Sequence, residues 1–89
     1  MRYEYDPKKL AANVAKHLVW FDLADDFEWD TAAVIADNRR HYAETRFCAT
    51  GLIGQRMYVL VFCFRATRIR LISLRKANPR EVLRYAKDH

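Results

Sequence analysis

Eighty-nine residues make a single domain, 1–89, and a composition that is 52% hydrophobic and 13% aromatic supplies a core, which excludes a disordered segment. The longest apolar run, Met57 to Phe64, falls well short of the roughly 20 residues of a membrane helix, and no basic-then-apolar leader opens the chain, so nothing argues for a membrane span or for export. Charge is polarised: residues 1–50 hold seven Lys/Arg against nine Asp/Glu, whereas residues 51–89 hold nine against two, a net +7 that points to a polyanionic partner.

In chain order, Arg2 to Tyr5 alternates tyrosines with charged residues, as a short edge strand does. Asp6-Pro7 is a helix start, with Asp as N-cap and Pro in the first turn. Leu10, Val14 and His17 or Leu18 give the following helix an inner stripe, and Lys16 and His17 meet the negative end of its dipole. Phe21 to Asp25 reads as a second, shorter helix capped by Asp22 with Asp25 at the reciprocal position, turning Leu23 and Phe27 inward. The acidic pair Asp25 and Asp26 reads as a solvated face, and no metal or cofactor site is expected.

The period then changes from helix to strand. Ala33 to Ala36 is a short strand, and Asp37 to Glu44 a polar loop. Arg46 to Ile53 and Met57 to Phe64 form a hairpin around Gly54-Gln55, the second strand being apolar on both faces and therefore central. Ala66-Thr67 turns the chain into a strand, Arg65 to Lys76, that carries Arg65, Arg68, Arg70, Arg75 and Lys76 with no acid at all. A cation-loaded strand on a rigid sheet is a way to hold phosphates. Asn78-Pro79-Arg80-Glu81 is a capping box with a first-position proline, and Val82, Tyr85 and Ala86 read as the inner stripe of a last helix. The class is α+β, in the order β-α-α-β-β-β-β-α: two N-terminal helices, an antiparallel four-stranded sheet with the short N-terminal edge strand, and a C-terminal helix. Cys48 and Cys63 read as buried reduced thiols of a cytoplasmic protein, with a disulfide across adjacent strands as the alternative.

Several stretches resemble the BrnT family of toxins from type II toxin–antitoxin systems, which share the RelE-like ribonuclease fold. They are Tyr5-Asp6-Pro7, Asn13 and Lys16-His17; Phe21 and Ala24; Glu44-x-Arg46-Phe47 and Gly51; and Arg68 to Ala77 with Glu81 and Tyr85. The chain departs from the family pattern at Leu18, where a glycine is usual, at His41, often an acid, and at Ala66-Thr67, a turn that commonly contains glycine. The resemblance implies a cytoplasmic, metal-independent endoribonuclease that arrests growth by cleaving RNA. It also implies a BrnA-like antitoxin that silences the toxin, forms a two-plus-two assembly with it and alone touches operator DNA.

Metal-free RNA cleavage needs a base for the 2′-hydroxyl, cations for the charge that builds on the phosphate, and a proton for the leaving 5′-oxygen. Arg46 and Arg75 are assigned the charge role, against a plain reading as structural ion pairs, with Glu44 as a base or, preferably, as the group that orients Arg46. His17 is a proton-transfer candidate, although a helix-end residue bonded into the core is the plainer reading; His41 is weaker, and His89 ends the chain. Tyr85 has a stacking or proton-donating role available, with core packing favoured by its spacing from Val82. Arg65, Arg68, Arg70, Lys76 and Arg80 read as RNA-binding, phosphate-positioning charges, Arg68 and Arg70 on one strand face, while Ser73 either touches phosphate or bonds locally. The rival readings are a non-catalytic basic nucleic-acid-binding module and an interaction protein with an acidic partner helix.

Overall fold

Asp6 starts the first helix as its spacing predicts: the carboxylate accepts a hydrogen bond from the Lys8 N–H at 2.9 Å and Pro7 fills the first turn. In the computed structural model, which describes residues 3–38 and 43–88, the elements are β1 (Tyr3–Tyr5), α1 (Pro7–His17), β2 (Ala33–Asp37), β3 (Arg46–Ile53), β4 (Arg56–Arg65), β5 (Arg68–Lys76) and α2 (Pro79–Asp88). They form one five-stranded sheet in the order β1-β5-β4-β3-β2. The strands β2 to β5 are an antiparallel meander, and β1 joins the far edge parallel to β5, with Tyr3 opposite Ile69 and Tyr5 opposite Leu71. The middle of the expected polar loop, His41 included, and His89 lie outside the described residues.

The second N-terminal helix is not an α-helix. Phe21–Asp26 and Trp29–Thr31 are two 3-10 helices, the first beginning after Trp20 with no side-chain cap, so Asp22 sits inside the turn. The reason is spacing. Phe21, Ala24 and Phe27, each three residues from the next, are all buried, and a helix of three residues per turn puts them on one line. That line packs on the sheet face formed by Phe47, Ala49 and Ile53 of β3, Leu60 and Phe62 of β4, and Leu71 and Leu74 of β5. Gly51 sits on this face because a methyl group there would lie 2.8 Å from Phe27 Cζ.

Leu71 and Leu74 are both almost fully buried although they stand an odd number of residues apart. Strict alternation would send one of them to the other face. The register resolves this with a bulge: Val61 pairs with Ser73 and Phe62 with Leu71, so Ile72 has no partner across β4. Beyond the bulge the edge of β5 lies past the last β1 pair, and Asn13 of α1 takes over. Its Oδ1 accepts from Leu74 N at 3.0 Å, and its Nδ2 donates to Leu74 O at 2.8 Å and to Val19 O at 2.9 Å. One carboxamide thus replaces a strand residue. Asn13 is the buried residue of α1, and Leu10 and Val14 of the expected stripe are only half-buried.

Leu18 does not belong to that stripe. It ends α1 in the left-handed conformation (φ 58°), donating its N–H to Val14 O, and its side chain is 83% exposed. Gly54 opens the β3–β4 turn at φ 62°, where glycine fits, but Ala66 opens the β4–β5 turn at φ 54°. The capping box of α2 forms as expected, with Glu81 N donating to Asn78 Oδ1 at 2.8 Å and Asn78 N to Glu81 Oε1 at 2.9 Å. Its expected inner stripe does not: Val82 and Ala86 are exposed, and Glu81 and Tyr85 are the half-buried residues. Cys63 is buried and Cys48 is half-buried, and no disulfide joins them, so the cross-strand alternative is not realised.

Leu18→Gly should stabilise the fold by about 1 kcal/mol, since it relieves a left-handed non-glycine residue and removes a side chain that packs on nothing; urea unfolding midpoints check this. Asn13→Ala, which leaves the N–H and C=O of Leu74 buried without their partner, should cost about 2–4 kcal/mol in the same measurement.

Candidate nucleic-acid interface

The face of the sheet opposite the aromatic core is open. The registers put Ala33, Ile35 and Asp37 of β2, Arg46, Cys48 and Thr50 of β3, Val59, Val61, Cys63 and Arg65 of β4, and Arg68, Arg70, Ser73 and Arg75 of β5 on it together. The bulge is what keeps Arg70 and Arg75, five residues apart, on that one face. Over one end of it lies a groove of about 710 Å³ with a floor of Cys48, Val59, Val61 and Ile72. Its lining includes Lys9, Lys16 and His17 of α1, Asp37 of β2, Ser73 and Arg75 of β5, and Glu81, Arg84, Tyr85 and Asp88 of α2.

Arg75 is held from both sides of its fork. Its Nη1 donates to Glu81 Oε1 and its Nη2 to Glu81 Oε2, both at 2.8 Å. Such a bidentate pair fixes the guanidinium plane, and the Arg75 guanidinium, helped by the Asn78 N–H, holds the Glu81 carboxyl at a pKa of about 2. Glu81 therefore caps α2 and orients Arg75 with the same two oxygens. Two further pairs on this face are looser: Arg65 to Glu44 at 3.2 Å and Arg70 to Glu4 at 4.0 Å.

His17 sits at the other wall. Burial first, then the charges of Lys16 and Arg75, lower its pKa below the ordinary histidine value. The imidazole is therefore neutral at pH 7 and able to accept a proton beside an arginine. Tyr85 lines the groove with its hydroxyl committed, donating to Thr31 O at 2.6 Å.

Of the residues expected from sequence, the groove gathers His17, Arg75, Tyr85 and Ser73. Arg46, Arg65, Arg68 and Arg70 continue the same face past its end. Glu44 precedes β3 rather than lying on it, and its carboxylate accepts from Arg65. Lys76 pairs with Tyr58 and so falls on the opposite face, while exposed Arg80 is outside the groove lining. Sequence reasoning missed Lys9, Arg84 and the clamp role of Glu81. A signal was present for the first: Lys9, Asn13 and Lys16 stand at i, i+4 and i+7, one basic stripe of α1.

Since the folded pKa of Glu81 is depressed, its contribution is present above the ordinary carboxylate value and lost as pH falls from about 4.5 to about 2. Glu81→Gln should remove the same contribution at neutral pH, with α2 amides exchanging about tenfold faster, the size of one charge-assisted bond. Amide hydrogen exchange across this pH window checks both.

No curated protein sequence matches the chain. The profile of one protein family, described as ribonuclease toxin, BrnT, of type II toxin-antitoxin system, matches residues 5–81. The match takes in α1, the whole sheet from Tyr5 onward and Glu81 itself, and by it the chain belongs to the BrnT family of ribonuclease toxins.

Proposed function

We propose that this chain is a metal-independent endoribonuclease that cleaves single-stranded RNA across the open face of its sheet and so arrests growth. The observation that carries this reading is His17, its pKa lowered, lining the same groove as the clamped Arg75, close enough to feel its charge. A base and a fixed cation are the two groups the reaction most needs.

RNA lies with its backbone along the arginine-bearing face, where Arg65, Arg68 and Arg70 position phosphates on either side of the scissile one. His17 takes the 2′-hydroxyl proton. The 2′-oxygen attacks phosphorus, the P–O5′ bond breaks, and the leaving oxygen takes a proton from solvent, giving a 2′,3′-cyclic phosphate and a 5′-hydroxyl. Arg75 carries the added negative charge of the pentacoordinate phosphorus, and Arg46, further along the face, supports the adjoining phosphate. Tyr85, its hydroxyl tied to Thr31, offers a ring on which a base stacks rather than a proton. Glu44 orients Arg65 rather than Arg46, and no role as base is assigned to it. Cations supply the charge stabilisation, so no metal is required in this scheme.

A BrnA-like antitoxin neutralises the protein in a two-plus-two complex, operator DNA is contacted through the antitoxin alone, and the site of action is the cytoplasm. Among the described residues no helix is long and apolar enough to cross a membrane.

Induced expression of wild type should stop growth with fragmentation of bulk RNA, and Arg75→Ala and Arg46→Ala should not. With purified protein, Arg75→Ala should lower kcat by about 10²–10³ and His17→Ala by about 10²–10⁴, with folding intact by circular dichroism. Because the His17 pKa is lowered, kcat/KM should fall on acidification along a limb centred below about pH 6.5, the unperturbed value, and His17→Ala should flatten it. Intact RNA and normal growth with wild type would leave a binding module in place of an enzyme.

A further inference from the structure

Helix α2 is the reverse of an ordinary amphipathic surface helix. At about 100° per residue, Glu81, Arg84, Tyr85 and Asp88 fall on one side, and these are its residues that line the groove. Val82, Leu83 and Ala86 fall on the other side and are exposed, Leu83 at 71% and Val82 at 39%. No residue of α2 is buried. Ten residues make a marginal helix in water, and this one is held by its capping box, the Glu81–Arg75 pair and the Tyr85–Thr31 bond. The apolar side, which would normally supply the stability, is left exposed, most of all at Leu83. Arg80 and Lys87, both exposed, stand one turn before and one turn after Leu83 on the same side.

We propose that this outward side of α2 is where the antitoxin docks, through an amphipathic segment whose apolar side chains cover Val82, Leu83 and Ala86 and whose carboxylates meet Arg80 and Lys87. This rests on the membership of the chain in a toxin–antitoxin family, which gives it a protein partner. Charge selects that partner over a second copy: each chain carries a net +5, and pairing two α2 helices would bring Arg80 and Lys87 of both together. An acidic segment matches the same cations and needs the same apolar stripe. RNA has no use for Leu83. Because the inner side of α2 holds Arg75 through Glu81, a partner seated on the outer side also fixes the wall of the groove.

The test measures Kd between the purified toxin and its cognate BrnA-like antitoxin. Leu83→Glu should raise Kd by at least about 30-fold, as loss of a central interface anchor does, and Lys87→Glu by less but with a flatter salt dependence. Leu83→Met should bind within about threefold of wild type, and RNA cleavage by free Leu83→Glu should equal that of wild type, which separates docking from folding and catalysis. A Leu83→Glu/Lys87→Glu double variant that binds within about threefold of wild type overturns the proposal. So does a free toxin that is dimeric by light scattering and is made monomeric by Leu83→Glu, which assigns the stripe to a second copy. If wild type leaves RNA intact, the ribonuclease mechanism falls, while the comparison of Kd values still decides the docking surface.

Discussion

The parity of β5 is the constraint on which the rest depends. Leu71 and Leu74 have to enter the core, and Arg68, Arg70 and Arg75 have to reach the open face; no regular strand does both. One unpaired residue, Ile72, shifts the alternation midway, so that arginines from the two halves of the strand share one surface. The neighbouring β4, apolar on both faces, is the straight template against which this irregular strand is laid. Asn13 then secures the half beyond the bulge by bonding both backbone groups of Leu74. The same helix carries Lys9, Lys16 and His17, so the bonds that complete the fold also set the distance between the two walls of the groove.

The electrostatics of the open face are graded rather than uniform. Arg70, Arg65 and Arg75 meet carboxylates at 4.0, 3.2 and 2.8 Å, and the 2.8 Å pair is the one in the groove. Loose pairs contribute little to stability, so under the proposed function Arg65 and Arg70 exchange a carboxylate for a phosphate at small cost. Arg75 differs. Its fork is fixed by Glu81, which in the proposed reaction spares the reorganisation that a mobile arginine would undergo in the transition state. Glu81 therefore belongs as much to the chemistry as to the helix it caps.

What could be read from sequence is what depends on near neighbours. Asp6-Pro7, Asn78-Pro79-Arg80-Glu81 and the Gly54-Gln55 turn find their hydrogen-bond partners within a few residues, and each forms as its residue types imply. The central place of β4 follows from apolar residues on both faces. Features set by distant contacts were not legible. Asn13 looks like an ordinary helix residue until its partner, Leu74, 61 residues away, is in place. Val82, Tyr85 and Ala86 show a helical period, but a period carries no information on which side faces the body of the protein. The spacing of three in Phe21, Ala24 and Phe27 was visible and decides 3-10 over α only once all three are known to be buried. For the site, the basic character of β5 was plain, whereas the bulge that aligns its two halves was not.

The pairing of β1 with β5 has a consequence for when the molecule comes into being. Tyr3 to Tyr5 find their partners at Ile69 to Leu71, and Asn13 finds its partner at Leu74, 61 residues further along the chain. Hairpins of the meander close early, because their strands are neighbours in the chain, but α1 and β1 wait for the emergence of β5. The groove, whose walls are α1 and α2, therefore has no existence on a partly made chain.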